Sequence, residues 1–176
     1  ENYHMILSDD GLTVTNVYVI PTTNITANKV WENGPTARPD IQLQLFRQRS
    51  IDTEPVAFGS PVTLTDGETE YTWDDMASTD INGRVYTYTV QEVGVPENYE
   101  KSEIDLTVTN TYVIPKIDIT GTKVWENGPK PEIQLQLLQD GVAFGEAITL
   151  SEGETEYTWV GLDRTDIDGK EYVYTV

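Results

Sequence analysis

"LTVTNTYVIP" at residues 106–115 alternates apolar and polar side chains through Tyr112 and then meets a proline. Period-two alternation rich in β-branched residues marks a strand with one buried face, and proline ends a ladder because it has no N–H to donate. The same string, with one change, stands at 12–21 as "LTVTNVYVIP". A single stretch therefore gives both the secondary-structure class and the first sign of internal repetition.

Working outward, "KVWENGP" recurs at 29–35 and 123–129, and "IQLQL" at 41–45 and 133–137. "GETEYTW" recurs at 67–73 and 153–159, and "TDINGRVYTYTV" at 79–90 is answered by "TDIDGKEYVYTV" at 165–176. Residues 1–21 align with 97–115. These matches divide the chain into three parts: 1–18, the C-terminal strand region of a preceding repeat; 19–114, a complete repeat; and 115–176, a second repeat truncated before its last strands. Most of each copy alternates at period two, with Asn33-Gly34, Asp66-Gly67 and Asn82-Gly83 supplying turns, and no window carries a helical stripe. Short strands at regular spacing in modules of about 90 residues predict an all-β fold of tandem Ig-like antiparallel β-sandwiches.

Composition narrows the function classes. The 176 residues include no Cys and 30 acidic against 11 basic groups, a formal net charge of -19, which disfavours nucleic acid and anionic membrane as partners. No apolar stretch approaches the roughly 18 to 20 residues of a membrane span, and "ENYHMILSDD" lacks the basic start and apolar core of a signal peptide. His4 is the single histidine, so no His-based triad or metal cluster is expected, and no cofactor is implied. "TDINGR" at 79–84 has part of the spacing of a calcium loop but lacks the later bidentate acid; a hairpin turn is the expectation, and no metal. Acidic residues spread over all strands read as a solvated surface rather than a glycosidase pair. The repeated tryptophans, Trp31, Trp73, Trp125 and Trp159, read as core or rim packing.

The exceptions to the apolar faces carry chemistry. In "ITANKVW" at 25–31, Ile25, Ala27, Lys29 and Trp31 share a face, and Lys123 holds the same place in "ITGTKVW" at 119–125. Asn110 shares a face with Leu106, Val108 and Tyr112, as Asn16 does with Leu12, Val14 and Tyr18. Glu92 continues the face of Tyr86, Tyr88 and Val90. One complete repeat thus turns a lysine, a carboxyl and an amide inward, on its first, penultimate and last expected strands. A buried lysine must find a partner or lose its charge.

"NKVWENG", "YTYTVQE" and "LTVTNTY", in that order, resemble the B-type repeat of collagen adhesins, the CnaB-type domain of Gram-positive surface proteins and pilins. The resemblance covers the whole complete repeat. It implies a prealbumin-like variant of the Ig sandwich and a spontaneous isopeptide bond from the first-strand lysine, here Lys29, to the last-strand asparagine, here Asn110. Glu92 occupies the place of the assisting carboxyl. Desolvation favours a neutral amine on Lys29 and a protonated Glu92 that can shuttle a proton while ammonia leaves. An ordinary buried salt bridge between Lys29 and Glu92 is the competing expectation.

The resemblance further implies a structural stalk or spacer of a surface adhesin or pilus, extracellular and wall-attached through regions outside this segment. Its partners would be neighbouring repeats, and self-modification would make it no enzyme in the turnover sense. The alternative is an adhesin module recognising host matrix protein through the longer, locally basic loop 46–55 around Arg47 and Arg49. Asn16 has no preceding lysine partner in this chain, and Lys123 has no following Glu or Asn partner. Two explanations fit: a segment of a longer array, or head-to-tail completion by another copy through strand addition, with a Lys123–Asn16 crosslink.

Overall fold

The computed structural model describes residues 2–176, and among these all regular structure is strand. The chain forms two units, residues 2–32 with 37–111 and residues 33–36 with 112–176.

The first unit begins with a hairpin, β1 (Tyr3–Leu7) and β2 (Val14–Tyr18), paired antiparallel from Tyr3↔Tyr18 to Leu7↔Val14. Next come β3 (Thr22–Glu32), β4 (Ile41–Arg49), β5 (Val56–Ala57), β6 (Val62–Leu64) and β7 (Glu70–Ala77). They are followed by β8 (Tyr86–Glu92), β9 (Tyr99–Ile104) and β10 (Thr107–Tyr112). One sheet runs β7-β3-β10-β9; in the other, β4 pairs with β5, β6 and β8. The inner faces follow the alternation: Ile41, Leu43 and Leu45 of β4, Tyr88 and Val90 of β8, and Val108 of β10 are buried. Ala27, Ile41, Leu43, Leu64, Val90 and Val108 form one cluster drawing on both sheets, with Trp31, Val62 and Trp73 packed against it. Burial of each large apolar side chain there contributes about 2 kcal/mol.

Two features lie outside the alternation pattern. The pair β3–β10 is parallel, in register Val108↔Lys29 and Asn110↔Trp31, so the first and last strands of the sandwich run side by side in the same direction. Strand β9 stands between β8 and β10 in sequence, so Glu92 lies on the third-last strand of the repeat rather than the penultimate one. The residues of β9 are mostly exposed, and without an apolar face they give no period-two signal.

The second unit contains β11 (Lys116–Thr122), β12 (Ile133–Leu135), β13 (Leu138–Gln139), β14 (Val142–Ala143), β15 (Ile148–Leu150), β16 (Glu156–Asp163) and β17 (Tyr174–Thr175). Its pairings β11–β16, β12–β15 and β14-β13-β17 repeat those of β3–β7, β4–β6 and β5-β4-β8. Side chains reproduce the likeness. Gln44 donates to the carbonyls of Leu45, Phe58 and Gly59, and Gln136 donates to those of Leu137, Phe144 and Gly145.

Candidate functional site

Three strands deliver the inward polar groups to one buried point. Lys29 follows Ala27 on the inner face of β3, Asn110 follows Val108 on β10, and Glu92 arrives from the opposite sheet, where β8 pairs it with Leu43. Lys29 and Glu92 are each 3% exposed and Asn110 is fully buried. The amide Nδ2 of Asn110 donates to Oε1 of Glu92 at 3.0 Å, and Nζ of Lys29 lies 3.7 Å from Oε2 of the same carboxyl. Nζ also donates to the carbonyl of Val30 at 3.1 Å and sits 4.1 Å from the ring centre of Trp31. Glu92 is thus flanked by the lysine on one oxygen and the asparagine on the other.

As a salt bridge this arrangement is poor. At 3.7 Å the lysine makes no hydrogen bond to the carboxyl, and among the described residues Glu92 Oε2 and Asn110 Oδ1 have no hydrogen-bond partner. A buried ion pair offsets its desolvation only when geometry is good and the remaining polar atoms are satisfied. Burial pushes the Lys29 amine down from 10.5 to about 8; the nearby Glu92 opposes the shift and Arg38 adds to it. Near neutral pH about a tenth of the amine is therefore uncharged. The site holds a nucleophilic nitrogen, a carboxyl able to move a proton, and an amide, in a dry pocket.

The two remaining candidates stand apart from any such cluster. Asn16 lies on β2, exposed and paired with Met5, and Lys123 follows the end of β11 with its Nζ 4.7 Å from the ring centre of Trp125. The "TDINGR" segment is a turn. Asp80 Oδ1 accepts the N–H groups of Asn82 and Arg84 at 2.8 and 3.0 Å, and Asp166 does the same for Asp168 and Lys170. Those backbone donors hold the Asp80 carboxyl below its ordinary range. No group of three or more His, Cys, Asp or Glu side chains suited to a metal occurs among the described residues.

Several neighbours of the triad were not singled out from the sequence. Tyr99 packs edge-on against Trp31 at 5.1 Å, and Arg38 donates to the Tyr99 hydroxyl at 3.1 Å. Lys101 and Glu103 reach the backbone of Glu92. The i, i+2 spacing of Tyr99, Lys101 and Glu103 puts them on one face, but a face so polar looks solvent-directed in sequence.

Comparison with known proteins adds a lineage to this geometry. Residues 25–111 and 119–176 match the family model of the Cna protein B-type domain. The collagen adhesin of Staphylococcus aureus is 34% identical over 179 residues, covering 93% of this chain; the chain spans 15% of that relative's length. A solved structure of two B repeat units of the collagen binding protein of Staphylococcus aureus covers 99% of this chain and 48% of its own, at 27% identity and a TM-score of 0.47. A single B repeat unit of the same protein covers 88% of this chain and 84% of its own, at 28% identity and a TM-score of 0.40.

Proposed function

The chain belongs to the Cna protein B-type domain family, and from that premise we propose that it is a structural stalk segment of a cell-surface adhesin, locked by an isopeptide bond between Lys29 and Asn110. The complete repeat in this proposal spans 19–114. The neutral Lys29 amine attacks Cγ of Asn110, the new N–C bond forms, and the Cγ–Nδ2 bond breaks. Glu92 passes the proton lost by the amine to Nδ2, so that one ammonia leaves and its own protonation state is restored. Rotation of the Asn110 amide exchanges Oδ1 and Nδ2 and would let a protonated Glu92 polarise the carbonyl before attack. Folding holds the groups together, which in oriented systems removes roughly 7 to 11 kcal/mol of barrier. The event occurs once per molecule and involves no turnover.

The observation that carries this proposal is the under-satisfied triad. Three fully dry polar groups make one direct side-chain hydrogen bond among them, an expensive arrangement for stability alone and an apt one for reaction. Intact mass tests it. The folded chain should weigh one ammonia less than its sequence, and Glu92→Ala should restore the full mass; an unshifted wild-type mass would refute the bond. Surface location and the adhesin role are carried over from the collagen adhesin relative.

A second role, recognition of a host matrix protein, is favoured by one cluster. The Arg47 guanidinium lies 4.1 Å from the ring centre of Phe58 and 4.7 Å from that of Tyr86, beside Arg49 and Asp52, and these residues other than Phe58 line a surface cavity of about 260 Å³. The second repeat has Gln139 in place of Arg47, donating to the Tyr174 hydroxyl at 2.9 Å. Saturable binding to a matrix protein that disappears when residues 46–55 are replaced by the shorter second-repeat loop would establish this role. A pure spacer predicts none.

A further inference from the structure

Strand β9 turns one face toward the reactive triad. Glu103 Oε1 accepts the backbone N–H of Glu92 at 2.8 Å, and Lys101 Nζ donates to the backbone carbonyl of Glu92 at 2.8 Å. The two side chains pair with each other at 2.7 Å. The reason lies in the β4–β8 ladder. Val93 donates to the carbonyl of Gln42 and Leu43 stands opposite Glu92, so the N–H and C=O of Glu92 point away from β4. Further back along the same edge, Val90 donates to the carbonyl of Asp105. At Glu92 an ion pair takes the place of a backbone partner, and it grips both polar groups of the one residue whose side chain must face Lys29 and Asn110.

The same strand touches the other two reactants indirectly. β9 is the hydrogen-bonded neighbour of β10, which carries Asn110, and Tyr99 on the gripping face packs against Trp31, which covers Lys29 Nζ. Lys101 and Glu103 side chains are 30% and 23% exposed. The pair is thus mostly covered, and its two hydrogen bonds satisfy the peptide groups of Glu92 that the β4–β8 ladder leaves open.

We propose that the Lys101–Glu103 pair is a positioning clamp that holds the backbone of Glu92, and thereby its carboxyl, in register with Lys29 and Asn110, and so sets the rate of bond formation. The clamp rests on the crosslink proposed above. Neither residue touches the reacting atoms, so both act through Glu92. A displacement of about 1 Å at a reacting group costs on the order of 100-fold in rate.

The test is a time course of ammonia loss, read by intact mass on the full chain made in a cell-free reaction, with folding followed by near-UV circular dichroism. Lys101→Met and Glu103→Leu should each fold as wild type yet form the bond about 100-fold more slowly. Lys101→Arg should recover most of the rate, since a guanidinium can donate to the same carbonyl; a purely structural role would not yield that rescue. Wild-type rates in both disruptive variants would overturn the clamp, as would slowing that merely tracks a lost folded fraction. Equal slowing in Lys101→Arg and Lys101→Met would also overturn it. If Glu103→Leu does not fold, the two Lys101 variants decide the matter alone. A wild-type chain that never loses ammonia removes the crosslink itself, an outcome distinct from failure of the clamp.

Discussion

Lys29 is the residue on which the account turns, and its acid–base behaviour is measurable. With Asn110→Ala the amine cannot be consumed, and the burial that pushes Lys29 down from 10.5 to about 8 in this site should still hold its folded pKa below the unfolded one. Between those values the unfolded chain binds more protons, so stability rises with pH across that window. Below it the net cost of charging the buried amine is fully present, about 3 kcal/mol for a shift of this size. Urea denaturation of Asn110→Ala should therefore show stability climbing from pH 8 toward 10.5, and the added change Lys29→Met should flatten that climb. In the wild-type chain the proposed amide has no amine to charge, and the climb should be absent. The rate of bond formation should rise with pH up to about 8 as the neutral amine accumulates.

At the scale of single elements, the two repeats offer a natural pair. The register of β3 against β7 shifts between Thr23 and Ile25, and there the Asn24 side chain accepts the N–H of Asp75, whose φ is 54°. In the second repeat β11 shifts against β16 between Ile117 and Ile119, and Asp118 accepts the N–H of Gly161, whose φ is 66°. The bulge is the same, and only one copy uses glycine at the left-handed position. A Cβ at Gly161 would meet open space, so Gly161→Ala should cost about 1 kcal/mol from backbone conformation alone. Asp75→Gly should shift stability slightly upward; thermal or urea denaturation reads both.

Elements also show what sequence can and cannot reveal. Period-two alternation placed Lys29, Glu92 and Asn110 on inner faces, because a strand offers each side chain only two directions and the apolar neighbours identify one of them. Direction and neighbours of strands are another matter. Nothing in "LTVTNTY" says that β10 lies parallel to β3, since facing residues alternate alike in either sense. Lys101 and Glu103 escaped notice for a related reason: charged residues on an edge strand look solvated until a neighbouring peptide group requires them. The longer loop 46–55 reads as locally basic, yet Arg49 is bound to Asp52 through Nε and Nη2, which leaves Arg47 to define that surface.

For the molecule as a whole, a bond from Lys29 to Asn110 would close nearly the entire complete repeat into a covalent loop. Loop closure of this length stabilises by about 4.5 kcal/mol in the chain-entropy description, and, unlike a disulfide, the link survives reductant in a chain that has no Cys. Glu92→Gln, which retains shape while removing the proton shuttle, should leave the first unit's unfolding transition lower by at least that amount, with no response to dithiothreitol in either form. The most direct measurement is proteolysis of the folded chain followed by fragmentation of its peptides in a mass spectrometer. The account predicts a branched peptide in which the Lys29 side chain is amide-bonded to the Asn110 side chain, one ammonia lighter than its two parts. Recovery of Lys29 and Asn110 only in separate linear peptides of full mass would contradict it.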